Sequence, residues 1–146
     1  MPPERDFKKW IITTAEKDWL IQPIETMTGS GIPDLFICAH GYQCWAELKA
    51  SDSPHCYMRI SQWRWFNKLT SRGGFGILVI KRLKAKRIDV FLASRLAKVD
   101  ANDCTLKGED IVFPDNIRPA FTYFMGTGNK QFFNKLTRLF EDNYDC

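Results

Sequence analysis

Hydrophobic and polar positions change their period several times along this chain, and each change marks an element. Phe7, Trp10, Ile11 and Thr14 recur at three- and four-residue spacing, which predicts a helix over 4–18 with Pro2 and Pro3 acceptable at its start. At about 100° per residue, Glu4 lies about 70° from the centre of that stripe and Glu16 about 170° away, so the first can lean into a site at the edge of the core while the second faces water. After a linker over 22–31, rich in turn residues, the short apolar run 34–40 is bounded by Pro33 and Gly41 and suits a buried strand. Gly41 and Tyr42 make a tight turn, and 43–50 alternates as a second strand, so the two form a hairpin. Residues 51–57 read as a loop. Gln62, Trp65, Phe66 and Leu69 then fit one helical stripe over about 61–72, with the polar Gln62 heading the inward face and Gly73 and Gly74 ending the helix. The runs 75–81 and 87–93 read as two more strands joined by a basic turn. No element is assigned between 99 and 127. Phe132, Phe133, Leu136, Leu139 and Phe140 predict a terminal amphipathic helix over 129–142 that caps the body or pairs with a second subunit.

This order of elements predicts an α/β fold, a central mixed β-sheet flanked by helices, in one domain over 1–146 with its core at about 4–98 and an extension at 99–146. The proportions agree: 146 residues, 45% hydrophobic and 26% charged, exclude a disordered or fibrous chain. No apolar run approaches the roughly 18 residues of a membrane span, and the N-terminus lacks the apolar segment of a secretory leader. A cytoplasmic protein is therefore expected, in a host cytoplasm if it is carried by a phage. The five cysteines form no C-x-x-C pair and stand in no zinc-finger spacing, so they read as reduced, mostly buried thiols.

Charge changes the picture more by its distribution than by its sum, which is +4. Between 57 and 98 stand eleven of the 21 Lys and Arg residues but one of the 17 Asp and Glu residues. A segregated basic stretch on a modestly charged body is the footprint of a polyanion binder, although charge runs also occur as plain solvated faces.

The candidate chemistry lies in the hairpin. Asp34 opens its first strand and Glu47-Leu48-Lys49 closes its second, so an antiparallel pair brings all three to one open end. Strand alternation places Glu47 and Lys49 on the same face. Two close carboxylates repel unless a hard cation sits between them, which is how Mg²⁺ is commonly held. Such an ion acidifies an attacking water and neutralises charge on a phosphodiester, and an adjacent lysine adds a point charge. The constellation fits phosphodiester hydrolysis.

Pro33-Asp34 followed by Glu47-Leu48-Lys49 resembles the PD-(D/E)xK nuclease superfamily. Gln62-x-x-Trp65 is similar to the helix glutamine motif of the VRR-NUC nucleases, and Glu4 resembles the first-helix glutamate of archaeal-type Holliday junction resolvases. The resemblance implies a restriction-endonuclease-like core in which Asp34, Glu47, Glu4 and the Leu48 carbonyl bind Mg²⁺, with Mn²⁺ able to substitute. It implies that Lys49 orients the nucleophilic water and that Gln62 holds the water or the lysine. It also implies 5′-phosphate and 3′-hydroxyl products. A homodimer acting on a four-way DNA junction is implied as well, without a small-molecule cofactor.

Alternatives stay open within this reading. Glu25 competes with Glu4 as the completing acid. The candidate DNA contacts, Arg59, Arg64, Lys68, Lys81, Arg82, Lys84, Lys86 and Arg87, equally read as solvated charge on the middle helix and basic turn. Trp63, off the inward stripe, is either core or a platform for an exposed base, and His55 is either a phosphate contact or a plain loop residue. A nickase or flap-processing nuclease, or a catalytically silent nucleic-acid-binding module, would carry many of the same features, and nothing in the chain separates DNA from RNA as substrate.

Overall fold

The computed structural model describes residues 3–14, 19–25, 31–39, 41–53, 55–56, 58–96, 111–112, 119–124 and 136. Helix α1 covers Pro3–Thr14 and α2 covers Ile60–Ser71, with a single turn, α3, at Ala93–Leu96. The strands are β1 (Leu20–Pro23), β2 (Leu35–Ala39), β3 (Tyr42–Ala50), β4 (His55–Cys56), β5 (Gly76–Arg82), β6 (Arg87–Leu92), β7 (Ile111–Val112) and β8 (Phe121–Phe124).

Six of them form one sheet in the order β1-β2-β3-β5-β6-β8, while β4 and β7 pair separately. The sheet is mixed. The β2–β3 hairpin is antiparallel, β3 and β5 run parallel across the crossover through α2, and β5–β6 is again a hairpin. Parallel neighbours need such a crossover, and an intervening helix is its usual form.

Alternation along β3 and β5 divides the core between the two faces. Cys44, Ala46, Leu48, Ile77 and Val79 pack with Phe7 and Ile11 of α1. Leu78, Ile80 and Phe91 pack on the other face with Phe66 of α2 and Leu96 of α3. Helices α1 and α2 thus turn toward the sheet the stripes that place Phe7 and Phe66 in its core, and β5, covered on both sides, is apolar almost throughout.

Three features differ from the expectation. Strand β1 lies inside a stretch partly read as linker, because its four residues form a sheet edge that ends in a proline and is too short to show a period. Strands β7 and β8 lie where no element was assigned; β8 completes the sheet by pairing with β6. A two-residue strand, β4, lies in the stretch read as a loop. Trp63 is half-buried against the α2-side cluster, which is the core reading of its two alternatives. Of the terminal helix, only Leu136 is among the described residues, and it is buried in the α1-side core. The rest of that expectation lies outside them, as do the last four residues of the expected first helix.

Candidate active site

Asp34 immediately precedes β2, and the register that sets Leu35 opposite Ala46 sets Asp34 opposite Glu47. One Asp34 carboxylate oxygen accepts the Leu48 amide at 2.9 Å, which fixes the carboxylate against β3. The Asp34 carbonyl takes the Ile24 amide at 2.8 Å, extending the β1–β2 ladder to the same point. Glu47 and Lys49 lie beside Leu78 and Ile80 in the parallel register, on the face covered by α2.

From the first turn of α2, Gln62 reaches down to both. Its Nε2 donates to Glu47 Oε1 at 3.0 Å. Its Oε1 accepts from Lys49 Nζ at 3.3 Å and from the Arg59 amide at 2.9 Å. Lys49 Nζ stands 3.7 Å from Glu47 Oε1. The carboxamide is therefore held at both ends, and its orientation follows from the bonds it makes: the amide end on a carboxylate, the carbonyl end on an ammonium.

A close backbone approach brings α2 to this position. Gly31 has φ +76, and a Cβ there would stand 2.3 Å from the Ser61 carbonyl oxygen. Only glycine lets the approach to Asp34 run against the start of α2.

Glu47 is 2% exposed, and among the described residues its Oε2 has no hydrogen-bond partner. Burial, followed by the negative charge of Asp34, pushes its carboxyl up to about 9, against the partial relief given by Lys49. The two carboxyls are close enough to interact directly. A buried carboxylate oxygen without a donor, facing a second carboxylate, is a donor set that a hard divalent cation would satisfy. Asp34 and Glu47 therefore fit such an ion.

The expected third acid is not assembled with them. Among the described residues, no group of three His, Cys, Asp or Glu side chains converges as a metal cage. Glu4 is exposed on α1, which covers the opposite face of the sheet, and it acts on Glu47 through charge alone, as the weakest of the influences on that group. Glu25 instead lines a cavity of about 340 Å³ together with Asp34, Arg59 and Gln62.

The basic residues divide into two sets. Arg59, Arg64, Lys68, Lys84 and Lys86 are exposed. Lys81 lies on the α1 face, 6.0 Å from the centre of the Phe7 ring. Arg82 corrects the expectation of a phosphate contact: it is 9% exposed and its guanidinium is engaged by three acceptors. It donates to Asp89 at 3.0 Å, to the Ser51 carbonyl at 3.0 Å and to the Ser53 carbonyl at 2.6 Å. Asp89, 1% exposed, also pairs with Arg87 at 3.2 Å and accepts from Thr122 at 3.0 Å. The Arg82–Asp89 pair was not foreseen. Its only signal in the sequence is that Asp89 is a lone acid in a basic stretch and stands in an apolar strand.

Among the described residues, no helix is long and apolar enough to cross a membrane. Comparison with family profiles and with curated proteins finds no match. Comparison with solved structures finds the Hjc Holliday junction resolvase of the archaeal hyperthermophile Archaeoglobus fulgidus, at 10% identity and a TM-score of 0.50, over 79% of this chain and 88% of that one. At that identity the likeness speaks for the backbone arrangement, and with the mixed sheet and flanking helices described above it establishes that this chain has a restriction-endonuclease-like α/β fold.

Proposed function

We propose that this protein is a metal-dependent, structure-selective DNA endonuclease, and within that class a Holliday junction resolvase. One observation carries the reading: the Asp34–Glu47 carboxylate pair, with a buried oxygen that lacks a donor among the described residues, stands directly beside Lys49 on a sheet of restriction-endonuclease-like topology.

Asp34 and Glu47, with the Leu48 carbonyl as a further ligand, would hold Mg²⁺ or Mn²⁺. The ion would supply neutralising charge for the phosphodiester and acidify the attacking water. The chain's own residues do the rest. Lys49 presents its ammonium to the nucleophile or the scissile phosphate. Gln62 keeps that ammonium and the Glu47 carboxylate at fixed separation, so neither must reorganise when substrate binds. The Leu48 amide prevents Asp34 from rotating away. Glu4 contributes to the negative potential of the site, and Glu25 lines its approach. Hydrolysis would leave a 5′-phosphate and a 3′-hydroxyl.

Exposed Arg59 at the start of α2 and Arg64 and Lys68 along it, together with Lys84 and Lys86, would contact the DNA backbone. Such contacts read shape and charge rather than sequence. A homodimer would set two such sites on opposite strands of a four-way junction.

The test uses an end-labelled four-way junction and a linear duplex of the same sequence, each incubated with protein and Mg²⁺ beside the Asp34→Asn and Lys49→Ala variants. Paired nicks in the junction alone, lost in both variants, are expected. Equal cutting of both substrates would keep the nuclease but remove the junction preference. Binding without cutting in either Mg²⁺ or Mn²⁺ would leave a binding module.

A further inference from the structure

The turn between β5 and β6 combines three properties. Its first residue, Leu83, is 40% exposed, one of few large apolar side chains left in solvent among the described residues. The residues that follow it, Lys84, Ala85 and Lys86, are all exposed. The turn is also tied to the segment that leaves the candidate active site. The Ser51 amide donates to the Lys81 carbonyl at 3.0 Å, and the Lys84 amide donates to Asp52 Oδ1 at 2.9 Å. Arg82, anchored on buried Asp89, holds the Ser51 and Ser53 carbonyls. Segment 51–53 begins two residues after Lys49, so the turn and the end of β3 are pinned to each other by side-chain and backbone bonds together.

Because β3 and β5 run parallel with Lys49 opposite Ile80, Leu83 lies three residues beyond the level of Lys49. At roughly 3.3 Å per residue, that places it on the order of 10 Å past the ammonium.

We propose that the turn 83–86 is a rigid probe for a DNA branch, in which Lys84 and Lys86 grip backbone phosphates and Leu83 enters between unstacked bases. The proposal shares with the function above only the premise that DNA is the ligand. An apolar wedge must open a base step, and the opening costs least where stacking is already interrupted, as at a branch. A tip ordered before binding loses little conformational freedom on insertion, and the bonds from Asp52 and Arg82 provide that order. A free leucine on a loose loop would give no such discrimination. The two lysines hold the tip against the backbone by charge that any sequence satisfies.

The experiment is done first in EDTA, where no cutting intervenes, with a four-way junction carrying 2-aminopurine beside the branch. The wild-type protein raises the fluorescence severalfold as the base unstacks. Leu83→Ala still binds but loses the rise, and its preference for junction over linear duplex drops roughly tenfold, the scale of one lost base contact. Asp52→Ala removes only an exposed tie between the two segments. It retains Leu83 and both lysines, melts like the wild type, and gives a reduced rise. Lys84→Ala with Lys86→Ala weakens binding to junction and duplex alike. An undiminished rise in Leu83→Ala overturns the proposal, and so does a wild-type protein that binds no junction. Added Mg²⁺ separates the two readings. Cutting without any effect of Leu83 removes the probe and keeps the nuclease, whereas a Leu83-dependent rise without cutting keeps the probe and removes the nuclease.

Discussion

At the scale of single residues, the site is dominated by the cost of burying Glu47. Its carboxyl has an ordinary value of 4.5 and stands at about 9 in the folded chain, so in the metal-free protein folding favours the protonated form. That contribution to stability is fully present below about 4.5 and is lost as pH rises through about 9, because across this interval the folded state binds more protons than the unfolded one. Glu47→Gln, which keeps the shape without the charge, should therefore melt higher than wild type in EDTA, by a margin that widens from pH 6 to pH 9. Relief of about 1–3 kcal/mol, the cost of one unsatisfied buried polar atom, corresponds to roughly 2–10 °C for a domain of this size. Differential scanning calorimetry across that pH range checks it, and a variant margin independent of pH would contradict the burial argument. Gln62 calls for a different measurement, because it touches no substrate in the proposed mechanism and acts through Lys49 and Glu47. Gln62→Ala should lower the cutting rate by about 10–100-fold, the usual effect of removing a partner that orients a ligand. It should leave junction affinity measured in EDTA within a few-fold of wild type.

Elements explain why some of this was legible in the sequence and some was not. The β2–β3 hairpin was legible because β2 is bounded by Pro33 and Gly41 and β3 alternates, and once it closes, Asp34, Glu47 and Lys49 must meet at its open end. Gln62 was legible because a polar residue at the head of an apolar stripe has to face something polar. Strand β1 was not, since an edge strand of four residues with a proline has no period to read. The role of Gly31 was hidden too, because turn chemistry announces a bend but not the backbone lying 2.3 Å from a hypothetical Cβ. Gly31→Ala, strained in φ and blocked by the Ser61 carbonyl, should displace α2 relative to the hairpin. A loss of about 1–3 kcal/mol in stability is expected from the strain alone, with a loss of cutting greater than that of a surface variant of equal stability. Denaturant titration beside a cleavage assay checks both. Arg82 teaches the same lesson from the other side. Its position in a basic turn suggested solvent, yet a pairing seven residues away with Asp89 turned it inward. Arg82→Ala leaves Asp89 buried with Arg87 as its remaining cation among the described residues. The expected loss of about 3–5 kcal/mol, typical of breaking a buried pair, should appear as a lower urea midpoint, while Lys84→Ala leaves that midpoint in place.

For the molecule as a whole, burial sorts the basic stretch between 57 and 98 into charge that builds the protein and charge available to a partner. The eleven cations there suggested a polyanion-binding stretch, and their number was legible while their division was not. Burial sends Arg82 to Asp89 and draws Arg87 after it, and Lys81 sits over Phe7 on the face away from the candidate site. What remains in solvent includes Arg59, Arg64, Lys68 and Arg72 on α2 and at its ends, Arg95 on α3, and Lys84 and Lys86 in the turn. The α2 and turn groups mark two edges of the site: α2 covers the face that carries Glu47 and Lys49, and the turn follows β5 beyond the level of Lys49. If both edges touch backbone phosphates, each contact releases counterions, and the logarithm of the binding constant falls with the logarithm of salt by about 0.9 per neutralised phosphate. Replacing Arg64 and Lys68 by alanine should reduce that slope by about 2, replacing Lys84 and Lys86 should do the same, and the four together should reduce it by about 4. Fluorescence anisotropy of the metal-free protein on a junction, over a series of salt concentrations, reads the slopes directly. Arg82 provides the internal control, since its conservative replacement Arg82→Lys removes no exposed charge and should leave the slope where it was even as stability falls. An unchanged slope after loss of Lys84 and Lys86 would mean that DNA does not reach the turn, and the branch probe would fall with it. An unchanged slope after loss of Arg64 and Lys68 would confine the DNA to the strand ends, and α2 would then serve the site through Gln62 alone.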